Sequence, residues 1–281
     1  MITTTSVDAL RGFLRTARDR GLSIGFVPTM GALHEGHLSL VRLAKKSCGF
    51  TVVSIFVNTL QFGPGEDFER YPRKEAEDRA ALEREGVDLL YSPDPKAFYP
   101  PDFSTAIEVG KVSERGEGGI RPGHFRGVAT VVARLLHQVQ PDAAFFGMKD
   151  LQQVAVIRRM VRDLDFPVRI ETGETVREPD GLALSSRNAY LTADDRQIAA
   201  GFPAALFEAR DRVAAGERDS ERLEADTRLD LESAGLLVDY VEVVDPATMA
   251  HPRWIERGCR LAAAVRAGKT RLLDNVALLE E

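Results

Sequence analysis

The sequence predicts an α/β protein: a doubly wound, mostly parallel sheet followed by a smaller α+β domain. Three observations carry the prediction. Short apolar runs alternate with amphipathic stretches through the first part of the chain. Turns that contain glycine follow three of those runs. Beyond Ile170 the texture changes to a polar, glycine-rich segment, then helical patterns, then strand-like runs in succession.

Taken in order, residues 24–27, 51–57, 87–91 and 143–146 are apolar runs of strand length, suited to burial on both faces of a parallel sheet. Between and after them, residues 38–47, 73–85, 125–138 and 151–164 carry apolar positions at helical spacing. Strand–helix alternation of this kind builds βαβ units, and the sheet is expected to be Rossmann-like. Ligands of such sheets lie outside the carboxyl ends of the strands. The segments 30–37, 58–65 and 147–150 each follow a predicted strand, so all three are expected at that edge. Residues 172–187 read as a loop rich in glycine and polar residues, with 175–188 expected to be mobile. Helices are expected at 194–215 and 220–233, and strands at 238–244, 260–265 and 270–275. The predicted domains are 1–175, binding nucleotide and acid, and 176–281, a smaller C-terminal lid.

The 281 residues suffice for one large domain or two moderate ones. With 44% hydrophobic and 28% charged residues, the composition is that of an ordinary globular enzyme. No apolar run reaches the ~18 residues of a membrane span, and Met1–Thr5 lacks the basic and apolar regions of a secretory signal. The net charge of −6 argues against bulk nucleic-acid binding. Cys48 and Cys259 form no CxxC pattern, so neither a disulfide nor a cysteine zinc site is expected, and a reducing cytoplasm fits.

The densest chemistry lies in Pro28-Thr29-Met30-Gly31-Ala32-Leu33-His34-Glu35-Gly36-His37. Two histidines three residues apart share a helical face. The glycine between them allows close approach of a ligand to the backbone. A helix start supplies N–H groups and a positive dipole end, which suits phosphate. Zinc ligation, helix capping and burial in a core are the alternatives for the same two imidazoles.

Four further segments carry candidates. Asn58 and Gln61 close the run 54–63, and two amides there suit a small hydroxy acid; capping of their own loop is the alternative. Phe145-Phe146-Gly147-Met148-Lys149-Asp150-Leu151-Gln152-Gln153 repeats the strand–glycine–helix design. A cation such as Lys149 at a helix start opposes the dipole unless it meets a phosphate. The stretch 175–188 contains Ser185-Ser186-Arg187, a possible oxyanion clamp or an ordinary surface turn. The glycine-rich 118–127, with Arg121 and His124, reads as a flexible loop over an anionic site or as a plain connector. No spacing predicts a protein-built metal site.

Together these motifs resemble the pantoate–β-alanine ligase (pantothenate synthetase) family, over nearly the whole chain through to Thr270–Asn275. The family belongs to the nucleotidyltransferase group related to class I aminoacyl-tRNA synthetases. His34–His37 looks like its HIGH-type signature, and Ser185–Asn188 stands where its KMSKS-type loop would be.

The resemblance implies two steps: pantoate attacks ATP to give pantoyl adenylate and pyrophosphate, and β-alanine then displaces AMP. By resemblance, Met30, Gly31, Ala32, Leu33, His34, Glu35, Gly36 and His37 would hold ATP. His34, His37 and Lys149 would be catalytic, with His37 at the position of the proton donor. Gly147, Met148, Lys149, Asp150, Val176, Leu184, Ser185, Ser186 and Arg187 would complete the nucleotide site. Gln61 and Gln153 would grip pantoate, with Asn58 a secondary candidate and Arg121 and His124 near the second substrate. Mg2+ would ride on ATP oxygens, and a cytoplasmic homodimer is implied. The chain departs from the family pattern at Thr59, where proline is usual, and at Met148 and Leu184.

Overall fold

The computed structural model describes residues 1–279. In chain order its strands are β1 (Ile2–Thr4), β2 (Ile24–Thr29), β3 (Phe50–Ile55), β4 (Leu89–Tyr91), β5 (Ala143–Gly147), β6 (Arg169–Gly173), β7 (Leu237–Val244), β8 (Arg260–Ala267) and β9 (Thr270–Ala277). Its helices are α1 (Val7–Asp19), α2 (Glu35–Ser47), α3 (Glu75–Arg84), α4 (Pro95–Phe98), α5 (Gly116–Ile120), α6 (His124–Val139), α7 (Leu151–Asp163), α8 (Ala193–Ala199), α9 (Gly201–Ala214) and α10 (Ser220–Ser233). Two compact units emerge. The first comprises residues 1–109, 122–148 and 156–174; the second comprises 110–121, 149–155 and 175 onward.

The first unit is a parallel sheet in the order β1-β4-β3-β2-β5-β6. Strand order reverses between β2 and β5, which makes the carboxyl end of β2 the topological switch point. The tolerance of Pro28 in a central strand has a local cause. Pairing with β5 covers only Gly25 and Phe26, so Pro28 lies on a stretch bonded on one side only. The core under α2 joins Leu40, Val41 and Ala44 to Val27, Val53 and Phe145. These positions follow the i, i+1, i+4 spacing of a helix face pressed on a sheet.

The sequence reading did not include β1, α1 or β6. The strand β1 is three residues long and pairs with β4 alone. In α1 only Leu10, Leu14 and Ala17 are buried, from a helix that also exposes Phe13 and is capped by Ser6. The strand β6 is largely polar, with Ile170 between Arg169 and Glu171, and lies at the sheet edge beside β5.

The second unit packs α8, α9 and α10 against the antiparallel sheet β7-β8-β9. Phe202, Leu206, Leu223 and Leu231 meet Val243, Leu261, Ala263 and Val265 there. The single helix expected at 194–215 is two helices, α8 and α9. Pro203 explains the break: its ring lacks an N–H and clashes with the carbonyl four residues back, so it is tolerated only in a first turn. Among the described residues no helix is long and apolar enough to cross a membrane.

Candidate active site

The helix α2 begins three residues earlier than its apolar pattern suggests. His34 is its N-cap, in extended conformation at φ −135° and ψ 176°, and His37 is the third residue of the first turn. The two side chains form a capping box. His34 Nδ1 accepts the Gly36 N–H at 3.2 Å, and His37 Nδ1 accepts the His34 N–H at 3.3 Å. The rings lie 4.1 Å apart. An Nδ1 that accepts is unprotonated, so each neutral ring carries its proton on Nε2. Two rings of the same tautomer thus stand side by side as Nε2–H donors.

Gly36 has a structural cause that its sequence context did not disclose. A Cβ there would stand 3.0 Å from two atoms of the His34 ring, so the glycine makes room for the imidazole. The turn before it runs through left-handed backbone at Gly31 (φ +83°) and Ala32 (φ +50°). Asp78 of α3 pins that turn: its carboxylate accepts the Ala32 N–H at 2.8 Å and the Leu33 N–H at 2.7 Å. Asp78 is 3% exposed, and burial pushes its pKa above the usual carboxylate value despite those two bonds. The Ala32 and Leu33 amides are therefore bonded to Asp78.

At the end of β3, the expected pair of amides is together but unequal. Asn58 is 1% exposed. Its Nδ2 donates to Gln61 Oε1 (3.0 Å) and to the Gly127 carbonyl (3.1 Å). Its Oδ1 accepts from Tyr99 Oη (2.9 Å) and from the Leu60 N–H (3.4 Å). Asn58 caps the 3-10 turn Thr59–Gln61, so that turn stays ordered with threonine in place of proline. Gln61 is half-buried, and its Nε2 donates to Met30 Sδ at 3.2 Å. His124 Nδ1 donates to the Gln61 carbonyl at 2.9 Å, which brings this candidate to the same turn.

The expected loop 118–127 is instead α5, a short turn and the start of α6. Gly127 lies in α6, and a Cβ on it would overlap the Leu60 carbonyl. That glycine lets the Gln61 turn press against the helix backbone.

In the second unit, Lys149, Ser185, Arg187, Asn188, Arg271 and Asp274 line one pocket with Leu182 and Phe202 beneath. Three predicted phosphate ligands are therefore neighbours: Lys149, Ser185 and Arg187. Lys149 Nζ is 3.4 Å from Asp150 Oδ1, and Lys149 O accepts from Asn275 Nδ2 at 3.0 Å. The segment expected to be mobile is a short hairpin. Leu184 N–H bonds the Val176 carbonyl at 2.9 Å, and Arg177 bridges Ala183. Ser185 then caps the 3-10 turn Ser186–Tyr190 through the Arg187 N–H at 3.2 Å.

Side chains anchor this hairpin. Arg177 makes a two-pronged pair with fully buried Asp274, at 2.5 and 3.0 Å. Burial raises the Asp274 pKa, and the charges of Arg177 and Lys149 oppose that rise. Arg196 joins Glu178 at 2.8 Å and Asp180 at 2.5 Å, and Asn188 Nδ2 donates to Glu178 Oε1 at 2.7 Å. Gln153 is half-buried on α7, while its neighbour Gln152 is buried and bonded to Val112 O, Arg115 O and Glu117 N–H. Arg121 faces Glu117 at 3.6 Å, in an ion cluster that Glu117 shares with Arg271 at 2.7 Å.

Sequence reasoning did not single out Asp78 and Tyr99, which hold turns of the first unit, or Asp274 and Asn275, which hold Arg177 and the Lys149 carbonyl in the second. Asp78 had one usable signal: it precedes Leu82 by four residues, so it shares that helix's inward face. Among the described residues no group of three or more His, Cys, Asp or Glu side chains could hold a metal.

Comparison with known proteins gives this arrangement its context. A curated pantothenate synthetase of Paramagnetospirillum magneticum is 51% identical over 271 residues, 96% of this chain and 95% of the relative. Its counterpart in Thermotoga petrophila is 47% identical, over 97% of this chain and 98% of the relative. The crystal structure of pantothenate synthetase from Thermus thermophilus superposes with a TM-score of 0.94 at 45% identity, covering 99% of this chain and all of that one. A pantoate-β-alanine ligase of Francisella tularensis, complexed with β-γ ATP and β-alanine, superposes with a TM-score of 0.82 at 33% identity, covering 99% of this chain and 98% of that one. The sequence model of the family described as pantoate-beta-alanine ligase matches residues 2–277, and the chain belongs to that family.

Proposed function

We propose that the chain joins pantoate to β-alanine through a pantoyl adenylate, using ATP and releasing AMP and pyrophosphate. The observation that carries this reading is the pair of imidazoles locked as Nε2–H donors by their own helix cap. The complex of the Francisella relative with β-γ ATP and β-alanine supports it.

A carboxylate is a poor acylating agent, and adenylation converts its oxygen into a phosphate leaving group. Attack of the pantoate carboxylate on the α-phosphorus piles negative charge on the phosphoryl oxygens. His34 and His37 donate to those oxygens, and the donors need no reorganisation because the backbone already fixes their tautomer. Glu35, Gly36, Gly31, Ala32, Leu33 and Met30 shape the same turn. Lys149 and Arg187 neutralise phosphate charge, with Ser185, Ser186, Val176, Leu184, Gly147, Met148 and Asp150 lining the nucleotide. Gln61 and Gln153 hold the acid. In the second step the β-alanine amine attacks the acyl carbon and AMP departs. Among the described residues no carboxylate or histidine group could cage a metal ion, and Mg2+ would arrive on the triphosphate's own oxygens. A homodimer in the cytoplasm belongs to the same reading.

The test is direct. With pantoate, β-alanine and Mg-ATP, AMP and pyrophosphate should appear in equal amounts with pantothenate. Without β-alanine, exchange of labelled pyrophosphate into ATP should depend on pantoate. Pantothenate formation with no pantoate-dependent exchange would refute the adenylate route.

A further inference from the structure

The polarity of the Gln61 amide is dictated by a chain of bonds that ends on the backbone. The Gly127 carbonyl can only accept, so the Asn58 atom 3.1 Å from it is the NH2 group. That group's second hydrogen points to Gln61, 3.0 Å away, so the Gln61 atom there is the carbonyl oxygen. The other end of the Gln61 amide is therefore its NH2 group, on the Met30 side. On the far side, Tyr99 Oη donates to Asn58 Oδ1 at 2.9 Å, beside a longer 3.4 Å bond from Leu60 N–H. Burial raises the Tyr99 pKa, so the phenol keeps its proton. Its ring is wedged among Phe56, Phe98 and Phe103, with centroids 4.9 to 5.8 Å away.

We propose that Tyr99 and Asn58 are positioning residues that hold Gln61 with its NH2 group toward the acid, so that the site selects acids presenting an acceptor oxygen. The proposal rests on the reading of Gln61 as an acid ligand and changes the role of Asn58. With every polar atom of its side chain bonded inside the protein, Asn58 orients the ligand-bearing amide instead of touching the acid. The thioether of Met30 is a weak acceptor. A carboxylate or hydroxyl oxygen at that position gains a better bond than the sulfur gives, whereas a donor-only group such as an ammonium meets another donor.

The test is Tyr99→Phe, which keeps the ring and removes the hydroxyl, with Asn58→Asp as a second variant that cannot donate to Gln61. For Tyr99→Phe the expected result is a KM for the acid raised about three- to tenfold, as for loss of one hydrogen bond of ordinary strength. KM for ATP and kcat should stay within about threefold. Asn58→Asp should show a larger rise in acid KM with the same split. An unchanged acid KM in Tyr99→Phe, or equal rises for acid and ATP, would overturn the relay while leaving the overall reaction standing. If the parent turned over no acid, the relay would fall together with the reading it rests on.

Discussion

The Asp78 carboxylate receives the Leu33 backbone N–H at 2.7 Å, from a helix forty-five residues further along the chain. With its second bond to Ala32, it fixes the left-handed turn that delivers His34 to its cap. Asp78→Asn replaces one acceptor by an NH2 group facing an N–H. The expected cost is about 1–3 kcal/mol of stability, the penalty for an unsatisfied buried donor. Displacement of the histidine turn should lower the proposed adenylation step, read in a single turnover, roughly 10- to 100-fold, the scale of a misplacement near 1 Å. Urea unfolding and rapid quench measure the two effects; a variant with parental values in both would remove Asp78 from the site.

His37→Ala removes one proposed donor to the phosphoryl oxygens and one half of the capping box. The expected loss in adenylation is about 10²-fold or more, against a stability cost of only ~0.5–2 kcal/mol for the cap. Single-turnover adenylate formation within threefold of the parent would reject the role.

Asp274 is fully buried against Arg177, which is one-fifth exposed. Asp274→Ala leaves the guanidinium without its partner and should cost about 3 kcal/mol, the low end of the range for a broken buried pair because Arg177 reaches solvent. The double variant Arg177→Met with Asp274→Leu should be more stable than either single change, since it buries no orphan charge. A double-mutant cycle by thermal unfolding decides; strict additivity would mean that the pair is not coupled.

Tyr91 is fully buried and donates to Gln138 Oε1 at 2.9 Å, and burial pushes its pKa up to about 12. A raised folded-state pKa favours the neutral phenol. Its contribution to stability is therefore complete below about 10, the ordinary tyrosine value, and is lost as pH rises toward 12. The loss should total roughly 2–3 kcal/mol at about 1.4 kcal/mol per unit. In Tyr91→Phe the slope of unfolding free energy against pH between 10 and 12 should be shallower than in the parent. Parallel slopes would show that Tyr91 does not drive the alkaline transition.

The sequence showed the central strands and the helices whose apolar faces run for three or more turns. It placed the ends of β2, β3 and β5 at the carboxyl edge, and the structure has them there. It did not show where α2 begins, because the first turn contains no core residue and its cap is a histidine, not the usual Ser, Thr, Asn or Asp. Glycine content suggested flexibility at 118–127 and 172–187, whereas Gly127 marks a close backbone approach and the second segment is tied down by Arg177, Glu178 and Asn188. Composition alone does not separate a glycine that bends from a glycine that makes room.

By itself the sequence determined the residue types and their order: the paired histidines after β2, the amides after β3, the lysine after β5 and the Ser-Ser-Arg run beyond Gly173. That order suffices for family membership. Only the tertiary structure decided how several of those groups are held. The direction of the Gln61 amide and the anchoring of the 176–184 hairpin each depend on a partner placed by folding, whereas the tautomers of His34 and His37 follow from their local helix cap. Hydrogen-bond polarity is a property of pairs, and pairs such as Asp78 with Leu33 or Asn58 with Gly127 are dozens of residues apart in the chain.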